Sequence, residues 1–390
     1  MRRIIIGILV ILAVSIFAVS WYLRGVPPII PQLAILSPSI LSESVSPVAY
    51  KVEQFVTDLT VPWSLVFTSP DRLLVAERTG SIRVINKGVL RPTPLFSFSD
   101  VISRSEGGLL GMALHPQYQK NKYIYASYDY MTAGETWLKI VRLIDEGNTA
   151  RFDRTIVDNI PGESLHTGSR IKFGPDGFLY ITTGDIRDRK LAQDKNSLAG
   201  KILRISDDGR IPDANPIPGS AIYSYGHRNP QGLTWQPGTN RLFSTEHGPS
   251  GFDGPGGGDE LNIILPGKSY GWPTVSHDRS ASGHVSPIQV WTPAVAPASA
   301  EFYTGTVFPQ FYGNLFFGGL VGEGLFRVVL DSSGQKVADW EKLSEISFGR
   351  IRDVVTGPEG FIYFSTSNQD GRGKARPGDD KIYRLVPTSQ

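Results

Sequence analysis

The feature that most constrains this chain is a pattern that recurs six times after residue 51. Each copy has a turn containing Pro, Gly or Asp, followed by a short apolar run rich in Tyr, Phe, Val and Ile. Equivalent apolar residues are spaced by 51, 55, 63, 73 and 47 positions, and they are Leu73, Ile124, Leu179, Leu242, Leu315 and Ile362. A period of this length fits one four-stranded sheet per repeat. The pattern predicts an all-β, six-bladed β-propeller over residues 51–390. A pair of β-sandwiches is the alternative, but sandwiches lack such a recurring turn signature.

The N-terminus is a separate segment. Met1-Arg-Arg3 precedes twenty uncharged residues, Ile4 to Leu23, which are enough to span a bilayer as a helix. The two arginines would stay in the cytoplasm, so the body of the protein would be exported. Residues 1–24 are therefore expected to be a signal anchor, or a signal peptide cut near Ala18-Val-Ser20. Residues 25–50 are expected to be a Pro/Ser-rich linker. The body would face the periplasm or cell exterior, anchored to the membrane through this helix or secreted after cleavage.

Composition excludes several classes of function. The net charge of +2 is small and evenly spread, which argues against a nucleic-acid partner. Cysteine is absent from the sequence, so disulfides, thiol catalysis and cysteine-ligated metals are excluded. Any metal must be held by oxygen or imidazole, and carboxylates with backbone carbonyls favour calcium or magnesium.

Several polar residues stand at the ends of the predicted strands, where the loops of a propeller converge on its channel. His166 precedes the strand of the third repeat, and an imidazole that faces the channel is a natural general base. Arg228 offers a five-donor fork that suits carboxylates or quinone oxygens, and Asn229 adds a neutral donor. Alternation along a strand points Arg350 and Arg352 to one face, which suits a polyanionic ligand. The structural alternatives are a hydrogen-bonded loop histidine and an exposed edge strand.

Further candidates lie in glycine-containing turns. Glu106 begins a Gly-Gly turn expected at the mouth of the channel. Gly248 and Pro249 offer backbone carbonyl oxygens, which are good calcium ligands. Glu260 and Tyr270 are ten residues apart across a loop and could hold a second, structural ion.

These residues fall within motifs that resemble the soluble glucose/sorbosone dehydrogenase family, the aldose sugar dehydrogenases that depend on pyrroloquinoline quinone (PQQ). The family is a six-bladed propeller, so the resemblance implies this fold and an oxidoreductase that acts on aldose sugars. The match runs from about residue 52 to 386, and its motifs are Pro62-Trp-Ser64, Glu106-Gly-Gly-Leu-Leu-Gly111, Gly184-Asp185, Tyr225-Gly-His-Arg-Asn-Pro-Gln-Gly232, Glu246-His-Gly-Pro249, Asp259-Glu-Leu-Asn262, Tyr270-Gly-Trp-Pro273, Arg350-Ile-Arg-Asp353 and Ser367-Asn-Gln-Asp-Gly371.

The resemblance also implies roles for the polar residues. His166 would take the proton of the sugar's anomeric hydroxyl, while hydride passes from C1 to C5 of the quinone and a lactone forms. Arg228 would hydrogen-bond the C5 oxygen of the quinone, with Asn229 beside it. Arg350 and Arg352 would bind the carboxylates of PQQ. The physiological electron acceptor is not identified by the sequence.

The implied metal is calcium. Carbonyl oxygens of Gly248 and Pro249 would hold one ion, which polarises the quinone as a Lewis acid. Glu260 and Tyr270 match the family's second calcium site.

Two positions depart from the family's pattern. Glu106 is expected to contact the cofactor, but many relatives carry Gln there, and a carboxylate would disfavour an anionic quinone. Val321 stands where many relatives have a basic residue, so one cofactor-stabilising cation would be missing. Weaker cofactor retention or a changed activity is therefore an alternative outcome.

Two other functions remain open on the sequence alone. One is a binding or adaptor propeller that performs no redox chemistry. The other is a calcium-dependent, lactonase-like hydrolase, whose metal would be held directly by carboxylate side chains in the channel. The candidates in this chain are instead arginines and His166, which suit a quinone with several carboxylates.

Overall fold

A computed structural model describes residues 46–388. The signal anchor or signal peptide predicted for residues 1–24, and the linker up to residue 45, lie outside this range. No helix within the described range is long and apolar enough to cross a membrane. The described residues form six antiparallel sheets, which confirms the predicted six-bladed β-propeller.

Each sheet contributes one strand to the wall of the central channel and stacks the others outward. The first three sheets, each given from the channel outward, are Pro62–Ser69 (β2), Arg72–Glu77 (β3), Ser81–Asn86 (β4) and Val89–Leu90 (β5), with Phe96–Ser97 (β6) also paired to β4; Leu109–Leu114 (β7), Tyr123–Thr132 (β8), Glu135–Asp145 (β9) and Ala150–Pro161 (β10); and Gly168–Phe173 (β11), Leu179–Thr183 (β12), Lys201–Ile205 (β13) and Ile222–Tyr225 (β14).

The other three sheets follow the same plan. They are Pro230–Trp235 (β15), Leu242–Glu246 (β16), Asp259–Ile264 (β17) and Gln289–Trp291 (β18); Pro297–Phe302 (β19), Leu315–Gly319 (β20), Gly324–Leu330 (β21) and Val337–Lys342 (β22); and Ile351–Thr356 (β23), Ile362–Thr366 (β24), Ile382–Pro387 (β25) and Tyr50–Val56 (β1). One-turn helices are present at Tyr118–Asn121, Arg189–Ala192 and Pro309–Phe311.

The last sheet closes the ring. Its outermost strand is β1, from the beginning of the described chain, which pairs with β25 from Tyr50 opposite Pro387 to Val56 opposite Ile382. The innermost strands β2, β7, β11, β15, β19 and β23 each contact the next, and β23 returns to β2. The ring therefore has no open edge between its first and last sheets.

The repeat pattern has a simple structural basis. All six equivalent apolar residues, from Leu73 to Ile362, lie in the second strand of their sheets and are buried. The core consists of apolar clusters between adjacent sheets, such as the one that joins the first and second sheets around Leu74 and Leu143. Each repeat buries its apolar faces only against its neighbours, so the loops at the strand ends are free to carry polar residues.

Candidate active site

One cavity at the end of the channel collects most of the predicted site residues. It has a volume of about 300 Å³ and is lined by loops from all six sheets. The predicted residues that line it are Glu106, His166, Arg228, Gly248, Pro249, Arg350 and Arg352. Asn229, Glu260 and Tyr270 are not among the residues that line it. Residues far apart in the sequence meet here because they lie at the end of the ring where the inner strands begin and the second strands end.

His166 is held by a carboxylate on one side of its ring. Its Nδ1 atom is 2.7 Å from Oδ1 of Asp185, whose Oδ2 atom accepts a hydrogen bond from the Trp272 indole at 2.7 Å. A carboxylate can only accept, so Nδ1 carries the proton and Nε2 has the free lone pair. The His166 side chain lines the cavity, and its Nε2 atom makes no hydrogen bond with residues 46–388. The arrangement is that of a general base oriented by a carboxylate.

The backbone at His166 is also constrained. Its φ of 55° lies in the left-handed region, which a histidine adopts only where its surroundings enforce it. The amide of His166 donates to Oε2 of Glu106 at 2.9 Å. Gly184 packs directly against the same residue, because a Cβ atom at position 184 would lie 1.7 Å from the His166 carbonyl oxygen. The left-handed conformation and these two contacts fix where the imidazole enters the cavity.

A buried lysine supports the loop that carries Asp185. The Lys201 ammonium, at the start of β13, donates to the carbonyl oxygens of Leu191, Ala192 and Ala199 at 2.7, 3.1 and 2.6 Å. The residue is fully buried, and its three donors are all used.

Replacing Lys201 with Met is expected to destabilise the protein by about 2–4 kcal/mol, because three carbonyl oxygens would lose a charged donor and that of Ala199 would be left with none in the described range, while those of Leu191 and Ala192 keep a backbone amide donor. Urea denaturation of the full chain measures this change. Lys190→Met, at an exposed position in the same loop, is the matched control and should change stability by less than about 0.5 kcal/mol. Equal effects of the two substitutions would contradict a supporting role for Lys201.

Arg228 is fixed by bonds to all three of its guanidinium nitrogens. Nε donates to Asp253 at 2.6 Å, Nη1 to the His247 carbonyl at 3.3 Å, and Nη2 to the Ser250 hydroxyl at 3.1 Å. Its backbone amide donates to Glu246. The side chain is only 2% exposed, so its charge is held in a fixed position in the cavity that His166 also lines.

A second group of arginines surrounds Asp370. Arg350 donates through Nε to Oδ2 of Asp370 at 2.8 Å and through Nη1 to the Leu320 carbonyl at 2.9 Å. Arg352 is farther from the same oxygen, at 3.6 Å, and Arg78 donates to the Asp370 carbonyl at 3.3 Å. One buried aspartate thus organises three cations of the cavity wall, two through its carboxylate and Arg78 through its backbone carbonyl oxygen.

The positive charge of this wall exceeds what its carboxylates neutralise. Burial lowers the pKa of Arg352 to about 9, with Arg350 and Arg78 adding to the effect and Asp370 opposing it. Burial also lowers the pKa of Arg78. The Nε atoms of Arg78 and Arg352 are buried donors that have no partner in the described part of the chain. Since the lining contains five arginines and three carboxylate residues, a bound polyanion would supply both the missing charge and the missing acceptors.

Glu106 does not stand as an isolated negative charge. Its Oε1 atom is 2.6 Å from Nη1 of Arg372, and its Oε2 atom accepts the His166 amide. Burial favours a raised pKa for Glu106, but Arg372, the His166 amide and His247 outweigh it and hold the pKa below its usual value. The expected penalty of a carboxylate in the site is therefore offset by an arginine from the last sheet.

Replacing Glu106 with Ala should destabilise the fold by about 1–3 kcal/mol, because the amide of His166 would lose its acceptor in a buried position. Glu106→Gln keeps a carbonyl oxygen for this amide and loses only the ion pair with half-exposed Arg372. Such pairs contribute about 0–1 kcal/mol. Urea denaturation of the two variants tests the assignment, and equal losses would show that the His166 amide contact contributes nothing.

The carbonyl oxygens of Gly248 and Pro249 are available to a ligand. Both residues line the cavity, and neither carbonyl accepts a hydrogen bond from another residue of the 46–388 range. The amide of Gly248 donates to Asp259 at 2.8 Å, which fixes the turn. A Cβ atom at position 248 would lie 2.3 Å from the Gly257 carbonyl oxygen, so the turn requires glycine. These features suit a cation bound by backbone oxygens.

Glu260 and Tyr270 lie on a second, much smaller cavity of about 10 Å³, which Gly248 and Pro249 also line. The Tyr270 hydroxyl already donates to the Ile263 carbonyl at 2.6 Å and accepts the Leu265 amide at 2.8 Å. Burial raises the pKa of Glu260, and the nearby Glu246 and Asp259 carboxylates raise it further. A cation would relieve this repulsion. No cluster of three or more His, Cys, Asp or Glu side chains able to hold a metal occurs in residues 46–388, so a second ion would depend on backbone oxygens.

Asn229 supports the site from outside the cavity lining. Its Oδ1 atom accepts hydrogen bonds from the Gly168 amide and from Gln231, each at 3.1 Å. Its Nδ2 atom is buried and has no partner within the described range. Its direct contact with a cofactor therefore stays a prediction.

Among the cavity residues that the sequence analysis did not assign to the site are Arg78, His247 and Trp63. Arg78 immediately follows the second strand of its sheet, as His247 follows that of the fourth sheet, so the repeat register could have revealed both. Burial lowers the pKa of His247, and Arg228 and Arg352 add to this, so the imidazole is neutral. Trp63 forms part of the lining, and the buried Arg170 guanidinium lies 3.9 Å from its ring centre. The lining thus combines a cationic wall, two imidazoles and one indole.

Comparison with known proteins finds relatives along most of the chain. The profile of the family described as Glucose / Sorbosone dehydrogenase matches residues 59–383. Aldose sugar dehydrogenase YliI of Escherichia coli K12 is 34% identical over 352 residues, which cover 84% of this chain and 92% of the relative.

Two solved structures of dehydrogenases are also similar to this chain. An oxidoreductase of Thermus thermophilus, assigned as a glucose dehydrogenase, is 42% identical with a TM-score of 0.80, covering 87% of this chain and 100% of the other. The PQQ-bound form of aldose sugar dehydrogenase from Streptomyces coelicolor is 37% identical with a TM-score of 0.76, covering 87% and 98%.

Proposed function

This chain belongs to the glucose/sorbosone dehydrogenase family and is a PQQ-dependent aldose sugar dehydrogenase, and we propose that it oxidises its substrate at the anomeric carbon with His166 as the general base. The product would be a lactone. The observation that carries this proposal is the His166 imidazole, oriented by Asp185 and opening into a cavity that also holds the Arg228 guanidinium.

The residues of the cavity fit PQQ, which is a planar quinone with three carboxylates. Arg350, Arg352 and Arg78 would bind the carboxylates, and the buried Nε donors of Arg78 and Arg352 are free to do so. The cavity volume of about 300 Å³ is in the range of sites for a single small ligand. When bound, PQQ supplies an ortho-quinone that accepts the two electrons and the hydrogen that C1 of the sugar loses.

The proton of the anomeric hydroxyl would go to Nε2 of His166. The imidazolium that forms is stabilised by Asp185 on its other nitrogen, and Asp185 is held in place by the Trp272 indole and the Arg187 amide. This network keeps the imidazole in one tautomer and one orientation, so little reorganisation is needed as the proton moves.

Arg228 would stabilise the negative charge that develops on the oxygen of the electron acceptor. Its bonds to Asp253, Ser250 and the His247 carbonyl hold the guanidinium before the substrate binds. A preorganised donor of this kind typically contributes about 3 kcal/mol to the lowering of a barrier.

Carbonyl oxygens of Gly248 and Pro249 would hold calcium at the same cavity. Calcium would supply Lewis-acid polarisation of a quinone oxygen. The role of this chain is to present two unpaired carbonyls from a turn that Asp259 fixes and that only glycine at position 248 allows. Glu260 and the backbone of Tyr270 would hold a second calcium, whose role is structural.

The test is reconstitution of the purified full chain with PQQ and calcium, followed by reduction of an artificial dye with a panel of aldoses. Aldoses should be oxidised to lactones, which hydrolyse to aldonates that chromatography identifies. The corresponding alditols are the matched control, because they have the same hydroxyls but no anomeric centre. Oxidation of alditols at equal rates would contradict chemistry at C1. Failure with every aldose would favour a binding propeller without redox activity.

We also propose that the body of the protein is exported, because a twenty-residue uncharged segment follows two arginines at the N-terminus. Alkaline phosphatase fused after residue 50 should then be active in a bacterial host. An inactive fusion that accumulates in the cytoplasm would refute export.

A further inference from the structure

Phe252 is a large apolar side chain left exposed beside the catalytic histidine. It is 57% exposed, although its ring stacks on the His166 imidazole with 5.7 Å between ring centres and 27° between planes. Nearly parallel rings at this separation are strongly offset, so they overlap only near their edges. The contact with His166 therefore covers a minor part of the Phe252 ring. Packing against His166 explains why one edge of the Phe252 ring is covered, but it does not explain why the rest of the ring is exposed.

The loop that carries Phe252 is anchored rather than free. The amide of Gly251 donates to the Gly254 carbonyl at 3.0 Å, and the φ of 90° at Gly251 requires glycine. Asp253 accepts from Arg228 at 2.6 Å and from the Ser250 amide at 2.9 Å. The ring of Phe252 is thus presented at the tip of a closed turn that is tied to a residue of the site.

The volume of the cavity and the position of His166 leave one place for a sugar, the mouth of the cavity. The cavity of about 300 Å³ is large enough for one tricyclic cofactor, and Phe252 itself is not part of its lining. With the cofactor in the cavity, a sugar that reaches His166 has to lie over the mouth. The side chains exposed at the mouth include apolar Phe252 and Val321, together with Arg372, which is paired with a carboxylate. Arg187 lies 5.5 Å from the Phe252 ring centre and could donate to hydroxyl groups of a bound sugar.

We propose that Phe252 is a substrate-positioning residue, whose exposed ring surface receives the C–H face of a pyranose while the anomeric hydroxyl reaches Nε2 of His166. The positively polarised C–H groups of a pyranose face suit the negative face of an aromatic ring, and the contact removes apolar surface of both partners from water. The part of this inference that concerns His166 rests on the proposed function. The part that concerns pyranose binding at Phe252 does not.

Kinetics of the full-chain holoenzyme test the proposal with three variants. Phe252→Ala should raise the KM for an aldose about tenfold, with kcat within about twofold and the KM for the dye unchanged. Phe252→Tyr should restore the wild-type KM, because it keeps the aromatic face. Phe152→Ala removes a phenylalanine of similar exposure, 49%, from β10, the outermost strand of the second sheet, and should change none of these constants.

A KM that is the same in Phe252→Ala and Phe152→Ala would overturn the proposal. It would also be overturned if kcat fell while KM stayed constant, since Phe252 would then act on the base and not on the sugar. Both results leave the proposed aldose oxidation intact, because the wild-type protein would still be active.

Saturation-transfer NMR separates failure of this proposal from failure of the proposed function. Irradiation of aromatic protons should transfer saturation to the ring C–H protons of an aldopyranose, and the transfer should be lost in Phe252→Ala and kept in Phe152→Ala. This measurement needs no turnover. If wild-type protein oxidises no aldose, a transfer that depends on Phe252 still supports pyranose binding at its ring. Absence of transfer overturns the proposal.

Discussion

Replacing His166 with Ala is expected to lower kcat for aldose oxidation by about 10²–10⁴-fold, the usual contribution of a positioned general base. In the wild-type protein Nδ1 is engaged by Asp185 at 2.7 Å, so that Nε2 is the proton acceptor. Alanine removes this acceptor but none of the arginines that would bind the cofactor. Stopped-flow reduction of the reconstituted enzyme by an aldose measures the loss.

The matched control for His166 is His115→Ala. The imidazole of His115 lies outside the cavity lining and stands 3.4 Å from Asp207, so its removal should leave kcat within about twofold. Titration of each variant with PQQ should give affinities within a few-fold of wild type. The mechanism would be falsified if the His166 variant kept more than a tenth of the wild-type kcat while binding PQQ normally.

Replacing Arg228 with Lys is expected to lower kcat about 100-fold, which corresponds to about 3 kcal/mol of transition-state stabilisation. Lysine keeps the positive charge, but its single nitrogen cannot reach Asp253, Ser250 and the His247 carbonyl together as the guanidinium does. The charge would then be mobile instead of fixed. Steady-state kinetics with saturating aldose and dye provide the measurement.

Two further variants separate the charge of Arg228 from its position. Asp253→Asn keeps the guanidinium but weakens its anchor at Nε, and an intermediate loss of kcat is expected. Arg241→Lys serves as the control, because Arg241 donates to the Ser333 carbonyl at 2.8 Å outside the cavity lining. If Arg228→Lys were as active as Arg241→Lys, the fixed geometry of the guanidinium would have no part in catalysis.

The fold was predictable because its signal is local and repeated. In each repeat, neighbouring residues determine a turn and the buried second strand that follows it. Leu73 and its five equivalents all lie in the strand that this pattern predicts. The same register predicts that residues such as His166 and Arg350, next to the ends of inner strands, meet at the channel. The structure brings these two residues to one cavity.

The parts of the site that escaped prediction depend on contacts between distant residues. The Glu106 carboxylate was expected to oppose an anionic cofactor, but Arg372 neutralises it from 266 positions away in the sequence. Nothing local marks this pair. The position of Phe252 over His166 is a further example, because a glycine-rich loop has no periodic pattern from which the direction of a side chain can be read.

The pairing of β1 with β25 bears on the moment at which the binding site matures during synthesis. Tyr50–Val56 is synthesised long before its partner Ile382–Pro387, because the other five sheets lie between them in the sequence. Arg352 stands on the innermost strand of that same sheet, and Arg350 directly precedes it. The sheet that carries this part of the cationic wall is therefore complete only after Ile382–Pro387 has been synthesised, so stable loading of the quinone is expected to follow that step.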